Sequence, residues 1–535
     1  MPYTIILKLL ALAFICCLPI FWQFLDELPS KKAVLLAILL FGYCAIYIVL
    51  FICLILINKK SFYLVACILV FYSASQVAYM LITGGGISYN AIASIYGTNR
   101  GEFFEFLGTT LFLKSIFLTI FICILTLFFY AIIGKFKSIH VKKINFKTVV
   151  VTFSLSGLFA LTLFNYQEGL KNYFPLNVIN NNIQYFNETY KVANEIANLT
   201  YEYEGEKPKT TNNIILVIGE SNRRDSLSVY SDSVIKGRQL KELTKLHSNN
   251  VLNYTNAISA AAFTRVAVPS LLSTAPAEKF STLAQFPSII RVLNSVNYSS
   301  FLFSNQSKGG FHNDLIKALI SEIKNKVYFE NSFDGAMLPI VNKLIDNDAE
   351  SQFIVMHLMG SHYDYSKRYP ESFALFSSDN NVDAYKNSVA YTEFVLSELA
   401  NTVLAQSAPY AILYVSDHGE YLNDLGDGLF GHGMRNASLS ELEIPFIFIM
   451  NDEFIEQNQR QLMPMKNHLD KKISHDNVSH LILGLAGAKD LKFYDKTLDL
   501  SSEYFRENKR KLIDRDMNVI DFSVIENMTK QHHYQ

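Results

Sequence analysis

Five long apolar runs, near 4–24, 33–57, 61–83, 109–133 and 149–166, fill the first third of this 535-residue chain and fix its fold class before any motif is read. Each can cross a bilayer, which takes about 20 residues of helix. A buried core helix would account for any one of them, but five in succession with short connections predict a transmembrane bundle. Lysine collects after the second run (Lys59, Lys60) and after the fourth (Lys135, Lys137, Lys142, Lys143, Lys147). Short basic loops of this kind stay in the cytoplasm. The fifth span then leads outward, placing the chain from about Asn165 to Gln535, and the 84–108 loop, on the outer side. No small-residue cleavage site follows the first run, which reads as an uncleaved anchor.

All six cysteines (Cys16, Cys17, Cys44, Cys53, Cys67, Cys123) fall in these runs, where a thiol behaves as a small apolar group. The outer part therefore holds no disulfide and must stand on its own core, which a segment of this size can supply. A formal net charge of −1 argues against nucleic-acid binding, which calls for a basic face. The pattern after about residue 209 alternates: apolar strands at 213–218, 300–304, 352–358, 411–415 and 444–450, with helical periodicity between them. The clearest helix runs from Val382 to about Gln406, with Val389, Phe394, Val395 and Leu399 on one face. This predicts an α/β domain with a mostly parallel central sheet. Three parts follow: a five-helix transmembrane domain over 1–166, an asparagine-rich connecting arm over 167–208, and an outer domain over 209–535.

Two of the predicted strands end in metal-ligand chemistry. Ile214 to Ile218 runs into Gly219-Glu220, and Tyr414-Val415-Ser416 into Asp417-His418-Gly419-Glu420. Open α/β sheets build their sites at the carboxyl ends of strands. Two carboxylates and an imidazole are a donor set that catalytic zinc accepts with one position open. The small-residue loop Ser259 to Ser270 offers hydroxyls for that position, and Thr264 is the expected nucleophile. The plainer readings are that Asp417 and His418 cap a helix and that Glu220 pairs with Arg223 or Arg224 on the surface.

Taken together, the motifs resemble the phosphoethanolamine transferases of the bacterial inner membrane, a branch of the alkaline phosphatase and sulfatase superfamily. Gly219-Glu220 followed by Arg223-Arg224-Asp225 matches that family's first metal segment, and Thr264 stands five residues before Pro269 as its nucleophile does. His357-Leu358-Met359-Gly360-Ser361-His362, Ser416 to Glu420, and His432-Gly433 match in order. The resemblance implies a periplasmic catalytic domain, with Glu220, Thr264, Asp417 and His418 holding one zinc tightly and a second zinc as an option. It implies that phosphoethanolamine passes from phosphatidylethanolamine to Thr264 and then to lipopolysaccharide or another glycan, by a membrane-bound monomer. His362, His432 and Lys308 would meet the substrate phosphate, and Asn99 and Glu102, in Thr98-Asn99-Arg100-Gly101-Glu102, the headgroup. Arg100 departs from the smaller residue usual there, as does the absence of cysteine from the outer domain. His357 is left as a strand histidine.

Phosphoglycerol transfer would use the same metal site on another lipid headgroup, and a non-enzymatic membrane-anchored binding protein would keep only the fold. Intact Glu220, Thr264, Asp417 and His418 count against the second. A sulfatase activity would need a Cys or Ser where Thr264-Arg265-Val266-Ala267 stands.

Overall fold

The computed structural model describes residues 3–26, 31–57, 59–83, 113, 116–124, 187 and, with short breaks, 189–532. The fifth expected span lies outside these residues, and the fourth is described only at 113 and 116–124, which are helical apart from the break. The chain divides into two compact units, Met1–Phe186 and Asn187–Gln535.

In the first unit, α1 (Tyr3–Cys16), α2 (Leu18–Asp26), α3 (Lys31–Ile57) and α4 (Lys59–Thr83) pack around Leu12, Cys17, Phe51 and Ala66. The run expected as one span near 4–24 is interrupted at Cys17, and Pro19 is the cause. Proline has no N–H to give to the carbonyl four residues back. That carbonyl, Ile15 O, instead accepts the Ser73 hydroxyl of α4 at 2.6 Å. In a low-dielectric interior an orphaned carbonyl is costly, so the break and the cross-helix bond belong together. Lys60–Met80, with mean hydropathy 1.6, is long and apolar enough to cross a membrane.

The second unit is built on a seven-stranded sheet. Its strands are β1 (Asn213–Gly219), β2 (Val251–Tyr254), β4 (Ser299–Ser304), β5 (Asn325–Tyr328), β6 (Gln352–His357), β7 (Tyr410–Ser416) and β10 (Phe446–Met450), in the order β2-β10-β7-β1-β6-β4-β5. Three smaller pairings surround it, β3 (Ala257–Ile258) among them, and β8 (Tyr421–Leu422) with β9 (Phe430–Gly431). β1 pairs in parallel with β6 and β7, and β4 with β5 and β6. β10 is the exception: the strand expected at 444–450 runs antiparallel to both β7 and β2, so the sheet is mixed. β2 and β5 were not among the expected strands; each is four residues long and at a sheet edge, with too little alternation to register.

β1 shows why the strand ends are rigid. Ile214, Leu216 and Ile218 enter one hydrophobic layer and Ile215 and Val217 the other, so the strand is buried on both faces, as a central parallel strand requires. The long helix α6 (Asn381–Leu404) covers the second layer, and the Asn380 side chain caps it by accepting from Asp383 N. The short helix α5 (Thr264–Leu272) lies against the first. Residues 189–197 are also helical and belong to this unit: Ile196 is buried in the first layer, and Arg291 donates to the carbonyls of Ile196 and Leu199 at 3.1 and 2.8 Å.

Candidate metal centre and nucleophile

β1 and β7 are neighbours in register, Gly219 opposite Ser416, so the residues that follow each strand emerge side by side. Glu220 leaves β1, and Asp417 and His418 leave β7, all three buried. His418 Nε2 lies 3.5 Å from Glu220 Oε1 and 3.3 Å from Asp417 Oδ2. Thr264 is the first residue of α5, and its Oγ1 lies 3.2 Å from His418 Nε2 and 3.3 and 3.4 Å from the two Glu220 oxygens. The structure therefore brings Glu220, Thr264, Asp417 and His418, 198 residues apart at the extremes of sequence, to one point.

The second layer of contacts orients these atoms. His418 Nδ1 donates to Gly419 O at 2.7 Å, which leaves Nε2 as the lone-pair face turned toward the carboxylates. Asp417 Oδ1 accepts from the backbone N–H groups of Ser221 (3.1 Å) and His418 (2.7 Å). Its other oxygen, Oδ2, is buried without a hydrogen-bond partner. Ser221, in the left-handed region at φ 56°, donates its hydroxyl to Glu220 Oε1 at 2.9 Å. Such strain in a non-glycine residue persists only where its surroundings over-determine it, and it collects at functional sites.

Charge makes the same point as geometry. Burial, then the neighbouring Asp417, raise the Glu220 pKa well above the ordinary carboxylate range; burial raises that of Asp417. Burial, then His432, push His418 well down. Among the described residues neither buried carboxylate is ion-paired with a lysine or arginine, the imidazole beside them is neutral, and one oxygen of Asp417 is unspent. This donor set fits a divalent cation of the zinc type, which binds carboxylate oxygen and imidazole nitrogen together.

His432 and His362 stand beyond this group. The His432 ring centroid is 4.2 Å from that of His418 and 6.0 Å from that of His362. Glu220, His418 and His432 each offer a ligand atom within 4.8 Å of the others, so His432 is also within reach of a cation. His432 Nδ1 bonds Glu420 Oε2 at 2.8 Å, and Tyr365 donates to the other Glu420 oxygen at 2.6 Å. Burial lowers the His432 pKa but Glu420 outweighs it, and the net shift is upward. His362 donates Nδ1–H to Tyr363 O at 2.7 Å, and burial, then Arg368, push its pKa down to about 3. Asn99, Glu102 and Lys308 lie outside the described residues.

Two supports were not foreseen. Gln306, just past the carboxyl end of β4, donates to Leu358 O at 2.7 Å and reaches Glu220 Oε2 at 3.4 Å. Its place after a parallel strand was a usable signal. Asp334 accepts from Met359 N, Gly360 N and Asn305 Nδ2 at 2.8, 2.9 and 2.8 Å, and so seats the Gly360 turn against the Glu220 backbone. Gly360 has φ +52°, and a Cβ there would come within 2.6 Å of Glu220 O. Nothing in the sequence around Asp334 announces this.

The sulfatase family model matches residues 212–488, which contain every residue of this centre. The chain is 26% identical over 339 residues to the putative transferase YhbX of Escherichia coli O157:H7, covering 60% of this chain and 61% of that one. It is 23% identical over 488 residues to phosphoethanolamine transferase EptC of Escherichia coli K12, covering 82% of each. Among solved structures, the integral membrane protein lipooligosaccharide phosphoethanolamine transferase A from Neisseria meningitidis aligns over 92% of this chain and 97% of its own, at 17% identity and a TM-score of 0.68. The periplasmic domain of EcEptC from Escherichia coli in complex with Zn covers 61% of this chain and 96% of its own, at 22% identity and a TM-score of 0.55.

Proposed function

The chain belongs to the sulfatase family of the alkaline phosphatase superfamily of enzymes, and on that premise we propose that it moves phosphoethanolamine from phosphatidylethanolamine to lipopolysaccharide through a phosphothreonine at Thr264. The observation that carries this reading is the position of Thr264 Oγ1, 3.2 to 3.4 Å from His418 Nε2 and both Glu220 oxygens beside the unpartnered Asp417 Oδ2. Relatives named phosphoethanolamine transferase supply the transferred group. The lipooligosaccharide in the name of the Neisseria meningitidis protein supports the acceptor class.

Zinc would be held by Glu220, Thr264, Asp417 and His418; when bound it supplies the positive charge that eases loss of the hydroxyl proton and offsets charge on phosphate oxygens. Thr264 Oγ1, its proton already released to solvent, attacks phosphorus, the bond to the diacylglycerol oxygen breaks, and phosphoethanolamine stays on the threonine. The leaving oxygen needs a proton, and His432, whose pKa is raised by Glu420, is the group to give it. In the second half the acceptor oxygen attacks, its proton returns to His432, and Thr264 is freed. The N-terminal position of Thr264 on α5 favours the anion formed there. His362 is placed to meet a phosphate oxygen, and Lys308, Asn99 and Glu102 are assigned to the substrate on the family resemblance. The helical first unit would sit in the bacterial inner membrane with the second unit in the periplasm.

The test is mass spectrometry of the peptide containing Thr264, from protein purified from its membrane with metal retained. A phosphoethanolamine adduct is the expected result. A phosphoglycerol adduct would replace the donor, and a bare peptide after incubation with phosphatidylethanolamine would remove Thr264 from the nucleophile role.

A further inference from the structure

The hairpin of β8 and β9 starts one residue after Glu420 and ends one residue before His432. Tyr421 pairs with Gly431 in antiparallel register, so the next pair outward sets Glu420 opposite His432. Their 2.8 Å bond between Nδ1 and Oε2 thus follows from the backbone pairing. Exposure falls along the line that continues inward: the His432 side chain is 22% exposed, while Glu420 and Tyr365 are fully buried. Only the imidazole end of this line is open to a reactant.

Tyr365 closes the inner end. It opens a single 3₁₀ turn, Tyr365–Lys367, and its hydroxyl donates to Glu420 Oε1 at 2.6 Å. Its ring meets those of Tyr385 on α6 and Tyr363 edge-on, each at 5.2 Å between centroids, a favoured aromatic geometry. Tyr385 is itself tied to the segment after Glu220, accepting from Arg223 N and donating to Ser221 O, both at 2.9 Å. The phenol is therefore held on three sides. Burial, then Glu420, keep its pKa well above the usual tyrosine value, so it stays a donor. With Oε1 filled by the phenol, Oε2 is the oxygen left for His432 Nδ1, whose other neighbour is Ser221 Oγ at 3.5 Å. Nε2 of that ring has no hydrogen bond among the described residues and is free for a reactant. His362, the neighbouring imidazole, has no such carboxylate, since its Nδ1–H goes to a backbone carbonyl.

We propose that Tyr365 is a positioning residue: it fixes Glu420, and through Glu420 it turns His432 Nε2–H toward the oxygen that leaves phosphorus, an inference that rests on the transferase reading above. As the bond from Thr264 Oγ1 to phosphorus forms and the bond to the leaving oxygen breaks, the electron pair goes to that oxygen and the Nε2 proton follows it. Tyr365 contacts none of the reacting atoms, so its loss weakens protonation of the leaving group and leaves the attack of Thr264 intact. The test uses the full chain in detergent with metal retained. It follows first-turnover release from three donors that share phosphoethanolamine and differ in the oxygen that departs: phosphatidylethanolamine, phenyl phosphoethanolamine and p-nitrophenyl phosphoethanolamine. p-Nitrophenolate departs without a proton, whereas the diacylglycerol alkoxide needs one and phenol lies between. Tyr365→Phe should slow diacylglycerol release by about 30-fold, phenol release by about tenfold and p-nitrophenolate release by no more than about threefold, as the loss of an outer-shell orienting bond costs about 10–100-fold. Its metal content should match wild type. Glu420→Gln should show the same graded loss, and a flat response there overturns the proposal even if Tyr365→Phe does not fold. An equal loss on all three donors, or no loss, in Tyr365→Phe reduces Tyr365 to a structural role. Wild type that releases both phenols but no diacylglycerol defeats the lipid-donor reading instead, and the two phenols still decide Tyr365. Wild type that releases nothing from any donor defeats both.

Discussion

Asp417 and Asp334 are both buried aspartates near the carboxyl edge of one sheet, and they do opposite things. Asp334 has spent its oxygens on three N–H donors and holds the Gly360 turn in place. Asp417 has spent one oxygen and kept Oδ2 unpartnered, next to a second buried carboxylate. Burial alone does not mark a ligand. What separates the two is the unspent lone pair, which costs stability in the bare protein and would be recovered on binding a cation.

The sharpest way to break this contrast is to neutralise each aspartate in turn. Asp417→Asn should lower transfer by about 10³-fold or more, as loss of a metal ligand does, and should lower bound metal measured by emission spectroscopy. The metal-free variant should melt no lower than metal-free wild type, because like-charge repulsion with Glu220 has gone. Retained activity would remove Asp417 from the centre. Chelation of the wild type is the next largest effect: at a free metal level about 1,000 times Kd, ligation contributes about 4 kcal/mol, so stripping it should lower the melting temperature by several degrees. A melting curve indifferent to chelator and added zinc would defeat the metal reading. Asp334→Ala should instead cost about 3 kcal/mol of stability by orphaning three donors, in urea unfolding, while folded protein retains part of its metal. If Asp334→Ala left stability untouched but erased metal binding, the two aspartates would not differ as described.

The proposed ligands in this contrast were readable in the sequence, and the residues that support them were not. Glu220, Asp417 and His418 each follow an apolar strand, and a strand end is visible in sequence because burial on both faces writes a continuous apolar run. Thr264 was reachable through its spacing to Pro269. Asp334 lies on a short turn between elements, and its partners Met359 and Gly360 lie some 25 residues on, so only the folded chain joins them. β10 was legible as a strand but not in its direction, since a fully buried strand carries no mark of polarity. The break at Cys17 went against the single span expected near 4–24, although Pro19 was a usable signal for it; the Ser73 bond that accompanies it is a matter of helix packing.

Glu393 offers the finest test of what separates a spent carboxylate from an unspent one. It sits buried on α6 and accepts from Ser228 N, Ser228 Oγ and Leu240 N at 2.5, 2.7 and 3.2 Å, as fully engaged as Asp334. Burial nonetheless raises its pKa from 4.5 to about 7, against the pull of the Ser228 donors. The folded state thus binds the proton more tightly than the unfolded chain. Its contribution to stability is complete below about pH 4.5 and is lost as pH rises through about 7, by an amount on the order of 2–3 kcal/mol. Asp476 and Asp499, both raised to about 6 by burial, add slopes of the same sign, so the quantity to measure is the difference between wild type and Glu393→Gln. That difference should shrink steadily between pH 5 and 7.5 in urea unfolding, since the variant has no proton to lose there. A difference independent of pH would mean that the Ser228 and Leu240 donors already hold Glu393 ionised throughout, and that hydrogen bonding outweighs burial at a site where three donors surround one carboxylate.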